Sequence, residues 1–327
     1  MRLVSLDDIN RTENGPRHAG WVNLAALDRI AATVTPTVPI SDPASGCTIW
    51  AKLEYEMPSG STKDRIAAQI LATAARAGVL TDESVVVEAS SGSTSIAFAM
   101  ACAAVGVHFV AVMPEGVSNE RILIIRRYGA DVVLTPAAAG VPGAIAEVES
   151  LASRGPLVFL PRQFANVENA RAHQWRTGPE LIAQVGHPLD GFVAAVGTAG
   201  TLMGVGAALR AAYGETVALA RVQVAGEADA EQGGPCSDIP GVVDCMSALL
   251  DGEALALGPD IEITHDDALV ATRHLIARGF PAGLSSGLNY LGACALAKTL
   301  GPDHHVATVF CDRMERYFSS ELFDDLR

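Results

Sequence analysis

The sequence of 327 residues has no long block of like charges, and its acids outnumber its bases, giving a net charge of −14. An acidic, evenly mixed chain repels phosphate backbones and anionic lipid, which argues against nucleic-acid and membrane partners. None of its six cysteines (Cys47, Cys102, Cys236, Cys245, Cys294 and Cys311) belongs to a C-x-x-C pair or has a histidine at ligand spacing. Scattered thiols of this kind suit a reducing compartment and speak against a disulfide framework or a zinc site. The first stretch, "MRLVSLDDINRTENGPRHAGW", lacks an apolar h-region, so no secretory signal is expected and the chain reads as cytoplasmic. The one long apolar run, residues 96–113, is divided by Gly106 and His108 into an Ala-rich half and a β-branched half. It reads as a buried helix, a turn and a buried strand in place of a membrane span. There is no internal repeat and no low-complexity tract.

What the sequence does contain is alternation. Ile66, Ile70 and Ala74 recur at helical spacing from Lys63 to a stop at Gly78. "SVVVEA" (84–89) is a continuous apolar run of the sort expected for a strand covered on both faces. A small-residue helix, strand 108–113, a helix capped at Ser118 and strand 131–135 follow, then a helix near 142–154 and strand 157–160. Strands 191–196, 220–225 and 305–311 alternate with helices starting near residues 201, 266 and 286. Regular βα alternation implies a mostly parallel sheet with helices on both faces. The segment 226–247, which carries Cys236 and Cys245, lacks periodicity and reads as a long loop.

Three segments share one grammar of strand, small-residue loop and helix start: "EASSGSTS" (88–95), "VGTAGTLMG" (196–204) and "GLSSGLN" (283–289). Such loops expose backbone N–H groups and hydroxyls, and the helix dipole adds attraction for anions. The second loop is the best candidate for a phosphate, yet it matches neither a Walker loop nor a dinucleotide fingerprint. Each loop alone is also an ordinary connection. Together, at the C-terminal edge of a parallel sheet, they point to one anionic ligand. Lys63, inside "EMPSGSTKDRIAAQI" (56–70), then has two readings. It is either a solvated first-turn lysine or an amine that forms a Schiff base with an aldehyde cofactor.

The motifs decide between them. "KLEYEMPSGSTKDR" resembles the N-P-S/G-G-S-x-K-D-R lysine motif of the cysteine synthase and cystathionine β-synthase family, whose members are fold-type II pyridoxal-phosphate enzymes. "EASSGSTSIAFA" is similar to that family's T-S-G-N-T-G loop, "GTAGTLMG" to its G-T-G-G-T-x-x-G phosphate cup, "PAGLSSGLNYLGA" to its G-x-S-S-G-A segment and "DRMERYFSSELF" to its D-S-G-E-R-Y-x-S-T-x-L-F stretch. The resemblance runs from about residue 35 onward. It implies an α/β fold of two domains, each with a mostly parallel twisted sheet flanked by helices, and the cofactor in the interdomain crevice. Residues 35–55 with 165–327 would form the large cofactor-binding domain, 56–164 the smaller, mobile substrate-binding domain, and 1–34 an N-terminal extension.

The resemblance also implies roles. Lys63 would carry pyridoxal 5′-phosphate and, once released, act as the base at Cα. Gly197, Thr198, Ala199, Gly200 and Thr201 would hold the phosphate, Ser286 (in preference to Ser285) would face the pyridine nitrogen, and Ser93 would sit at the 3′ oxygen. Ser90, Ser91, Gly92, Thr94 and Gln163 (in "PRQFAN") would bind the substrate carboxylate. The implied reaction is β-replacement on an O-activated L-serine through an aminoacrylate, with a small-molecule amino acid and a small nucleophile as partners and a homodimer as the assembly. A dehydratase-like β-elimination and a non-catalytic cofactor-binding protein are the alternatives. Ser93, Ser95 and Ala199 depart from the Asn, Gly and Gly of the family pattern. Between Arg221 and Arg273 there is no Lys or Arg, which argues against a dianionic leaving group because nothing there would pair with it.

Overall fold

A computed structural model describes residues 22–327 apart from 43–45, 154, 156, 227–238, 243–246 and 252–253. Most of the 226–247 segment, including Cys236 and Cys245, lies outside the described residues. Helix α1 (Leu24–Ala31) leads to strands β1 (Thr37–Ser41) and β2 (Thr48–Leu53), helix α2 (Lys63–Arg76), β3 (Val85–Ala89), α3 (Ser93–Val105), β4 (His108–Pro114), α4 (Asn119–Arg127), β5 (Asp131–Thr135), α5 (Gly140–Ala152) and β6 (Val158–Phe159). Then come α6 (Val167–Ala172), a π-helical turn (His173–Thr177), α7 (Gly178–Val185), β7 (Gly191–Ala195), α8 (Gly200–Tyr213), β8 (Ala218–Val224), β9 (Ile261–Ile263), α9 (His265–Ala277), α10 (Leu284–Leu300) and β10 (His305–Phe310). The expected α/β alternation is present, with element ends shifted by at most a couple of residues. The run 96–113 is divided at Gly106, whose φ of +80° closes α3 in the left-handed conformation glycine adopts without strain. Ser118 occupies the N-cap of α4, but its side chain makes no capping hydrogen bond.

The described chain forms two compact units. One contains the described residues up to Ala32 together with Lys63–Gln163, the other Thr33–Thr62 with Phe164–Arg327. The first unit holds a 4-stranded, all-parallel sheet in the order β5-β4-β3-β6. Its core packs Val87, Ala89, Val110 and Val112 against Ala144, Val148 and Leu151 of α5. On α3, Phe98 stacks on Phe109 of β4 with ring centroids 5.9 Å apart. Continuous apolar strands are what a sheet buried on both faces requires.

The second unit holds a 6-stranded sheet, β1-β2-β10-β7-β8-β9, parallel except for the edge strand β1. One apolar cluster joins it to α7 and α8 through Leu181, Leu202, Val205 and Leu209. A second joins it to α10 through Leu288, Ala293 and Ala297.

Each sheet has one place where the winding reverses. In the second unit the chain moves outward from β7 to β8 and β9, then returns to place β10 on the other side of β7. In the first it moves from β3 to β4 and β5, then returns to place β6 on the other side of β3. Open parallel sheets bind ligands at such reversals, beyond the carboxyl ends of the strands. Both reversals are visibly splayed. Strands β10 and β7 pair only at Val306↔Gly191 and Ala307↔Phe192, and β3 and β6 only at Val85↔Val158 and Val86↔Phe159.

Candidate active site

The loop after β7 enters α8 through a tight turn. Ala199 has φ +63°, in a region that costs an L-residue about 1–2 kcal/mol and a glycine nothing. The turn packs so closely that a Cβ on Gly197 would stand 2.2 Å from the Gly241 carbonyl, and one on Gly200 would stand 1.8 Å from Asn169 Oδ1. No side chain caps the start of α8, so the first N–H groups of that helix are available to an anion. Two threonines flank them. Asn169 Nδ2 donates to Thr198 Oγ1 at 2.8 Å, and the Ser247 hydroxyl donates to the Thr198 carbonyl at 2.6 Å. Thr201 Oγ1 lies 3.2 Å from Nε2 of the buried His173. An uncapped helix start with oriented hydroxyls fits a phosphate group.

Ser286 is fully buried in the first turn of α10, and its Oγ accepts the Cys311 N–H at 3.0 Å. The hydroxyl keeps its own proton to donate, which suits a ring nitrogen. Three residues on, Asn289 occupies the split between β7 and β10. Its Oδ1 accepts the Ala195 N–H at 2.6 Å, and its Nδ2 donates to the Val309 carbonyl at 2.9 Å. The Thr308 hydroxyl donates to the Val193 carbonyl at 2.8 Å. Side chains thus satisfy backbone groups that the diverging strands leave without ladder partners. The cup and Ser286 consequently face the same reversal point of one sheet.

Lys63 is the first residue of α2, and the turn just before it, Ser59–Thr62, is held by residues of the second unit to which that turn belongs. The Thr62 N–H donates to the Cys311 carbonyl at 2.9 Å, and the Thr62 hydroxyl donates to Glu54 Oε2 at 3.1 Å. The guanidinium of the buried Arg316 donates to the carbonyls of Gly60 and Ser59. The closing "MERY" segment therefore clamps the lysine turn. Asp312, next to Ser61 in an isolated bridge, accepts the Tyr317 hydroxyl at 3.0 Å.

In the first unit, Ser90, Ser91, Gly92, Ser93 and Thr94 connect β3 to α3. The Gly92 N–H donates to Ser90 Oγ at 3.0 Å, and the α3 start has no side-chain cap. Gln163 comes from beyond β6, across the reversal. Its Oε1 accepts the Thr94 hydroxyl at 2.8 Å, and its Nε2 donates to the Ala89 carbonyl at 2.7 Å. The structure thus brings Gln163 onto the 90–94 loop, as it brings Ser286 to the reversal that the 197–201 loop follows.

Sequence reasoning did not single out Glu54, Glu88, Asn169, His173, Asn289 or Arg316. Five of these are single polar residues, four of them inside the quoted motif stretches, but no local spacing points to the partners they reach elsewhere in the chain. His173 sits in a π-turn, a form common at functional sites but without a sequence signature.

Residues 29–312 match the family profile described as "Pyridoxal-phosphate dependent enzyme". The chain is 37% identical over 300 residues to the probable cysteine synthase of Bacillus subtilis, covering 88% of this chain and 94% of that one. It is 36% identical over 280 residues to cysteine synthase B of Campylobacter jejuni, covering 85% and 92%. Among solved structures, the O-acetylserine dependent cystathionine beta-synthase of Helicobacter pylori superposes with a TM-score of 0.82 at 29% identity, covering 91% of this chain and 98% of that one.

Proposed function

The chain belongs to the pyridoxal-phosphate dependent enzymes, and from that membership we propose that it performs β-replacement on an O-activated L-serine, such as O-acetyl-L-serine, giving L-cysteine or another β-substituted alanine. Bound pyridoxal phosphate supplies the electron sink that makes the amino acid's Cα proton removable and lets the β-substituent leave. Lys63 is the amine that would hold the cofactor's aldehyde carbon and, once released, would take the proton at Cα. The N–H groups of the Gly197–Gly200 turn and the hydroxyls of Thr198 and Thr201 bind the phosphate. Ser286 donates to the pyridine nitrogen without protonating it as an aspartic acid would, which suits elimination. Ser93 would serve the cofactor's 3′ oxygen.

Ser90, Ser91, Gly92, Thr94 and Gln163 bind the substrate carboxylate and so orient the Cα–H bond. The stretch between Arg221 and Arg273, free of Lys and Arg, favours a leaving group without a double negative charge. The described residues include no helix long and apolar enough to cross a membrane. We place the enzyme in the cytoplasm, in line with its scattered thiols, and as a homodimer, in line with its family.

The observation that carries this reading is the pairing of an uncapped, hydroxyl-lined phosphate cup with the buried Ser286 at one sheet reversal. The test combines the purified enzyme, O-acetyl-L-serine and sulfide, with borohydride reduction and mass analysis as a second readout. Lys63→Ala is expected to abolish turnover and to lose the reducible covalent cofactor. Covalent cofactor retained in that variant would overturn the assignment of Lys63.

A further inference from the structure

Glu88 is 3% exposed and lies one residue before the end of β3. Its Oε1 accepts the Ala89 N–H at 2.9 Å, and its Oε2 accepts the Gln163 N–H at 3.0 Å. The carboxylate therefore bridges the split between β3 and β6, as Asn289 bridges the split between β7 and β10. The segment it holds is strained, since Arg162 has φ +52°. A non-glycine residue in that region persists only where its surroundings hold it. The Arg162 side chain does not supply the restraint, because its guanidinium pairs at 3.0 Å with the exposed Glu149.

With its backbone fixed, Gln163 has little choice of side-chain direction. Its Oε1 accepts from Thr94 and its Nε2 donates to the Ala89 carbonyl, so the amide is tied to the loop at both ends. Burial lifts the Glu88 pKa to about 7, and the N–H groups of Gln163, Ala89 and Arg162 oppose that rise. A carboxylate kept in such a place at the expense of its own hydration is doing something an apolar residue could not.

We propose that Glu88 is a positioning residue for substrate binding: by accepting the Gln163 N–H across the β3–β6 split, it aims the Gln163 amide and fixes Thr94 for recognition of an α-carboxylate. The inference rests on the reading that the 90–94 loop and Gln163 bind the substrate carboxylate.

The test uses the holoenzyme, with amino-acid binding followed by the cofactor's absorbance. L-alanine carries the carboxylate and has no leaving group. L-alaninamide replaces that carboxylate with a neutral amide. Glu88→Gln is expected to raise the Kd of L-alanine about tenfold, a loss of about 1.4 kcal/mol, and to leave that of L-alaninamide unchanged. In a Gln163→Ala background the same substitution is expected to change the L-alanine Kd by less than about twofold, because a residue that acts through Gln163 has nothing left to aim. Wild-type alanine affinity in Glu88→Gln would overturn the proposal. So would equal losses for both ligands, which would mark a purely structural effect, or an undiminished loss in the Gln163→Ala background. If Glu88→Gln does not fold, Glu88→Asp serves as well, since its shorter side chain keeps the charge and cannot span to Gln163. Wild-type failure to turn over O-acetyl-L-serine with sulfide would count against the proposed reaction, an outcome separate from these.

Discussion

Replacing Glu88 by Gln also makes a prediction about stability, and its sign depends on pH. The folded protein holds this carboxyl at a pKa of about 7 against an ordinary 4.5, with burial the largest cause. Between those values the folded state binds more protons than the unfolded state, so stability falls as pH rises. The contribution is fully present below about pH 4.5 and is lost as pH climbs through about 7. Glu88→Gln removes the titration and keeps the side-chain length. The difference in unfolding free energy between the parent and Glu88→Gln should therefore move against the parent by about 2–3 kcal/mol from pH 5 to pH 8. Most of that movement falls between pH 5 and pH 7. Urea unfolding of both proteins at half-unit pH intervals, with the same saturating cofactor, measures it. All other ionisable groups are common to the pair and cancel in the difference. Parallel stability curves across that range would refute the reasoning, because they would mean that Glu88 is already ionised without cost. Together with the binding test, the outcome describes a trade: a group that aims Gln163 also destabilises the fold at neutral pH.

Asn289→Ala should cost about 2–4 kcal/mol in urea unfolding, since it leaves the Ala195 N–H and the Val309 carbonyl without their partner; a loss below 1 kcal/mol would contradict the bridging role. Thr198→Val should weaken pyridoxal-phosphate binding by the apoenzyme about tenfold, the loss of one hydrogen bond to a charged group, and an unchanged titration would remove Thr198 from the cup. Ala199→Gly should stay within about 1 kcal/mol of the parent in stability, relief of the left-handed Cβ being offset by a more flexible unfolded chain. Ala199→Val should be destabilised by more than about 1 kcal/mol and bind cofactor worse, because a β-branched residue resists positive φ.

Much of this organisation is legible in the sequence, for reasons that differ by element. Strands such as Val85–Ala89 and Asp131–Thr135 are apolar on both faces, and glycines stop the adjoining helices, so alternation can be read directly. The cup and the lysine turn are legible because their chemistry needs a contiguous set of small and hydroxyl residues. The antiparallel pair Thr37–Ser41 and Thr48–Leu53 is not legible in the sequence as strands. Its first strand is exposed at Pro39 and Ser41 and has one buried residue, Ile40, which mutes the apolar signal. Helix Val167–Ala172 and the π-turn that follows it are equally hard to see, since the π-turn breaks the 3.6-residue period. Glu88 and Asn289 are the deeper omissions. Their meaning depends on which strands part company, and that is set by sheet order, not by neighbours in the chain.

The two splits have a consequence for exchange with solvent. The ends of parallel ladders normally fray, and their amide protons are replaced early. Here the N–H groups of Ala89, Gln163 and Ala195, all beyond the last paired residues of their reversal points, are held by buried carboxylate or amide oxygens. Their protons should persist in heavy water about as long as those of the central strands. The rims of both sheets would then behave as part of the slow-exchanging core, and loops made of glycine, serine and threonine would be carried on a rigid edge.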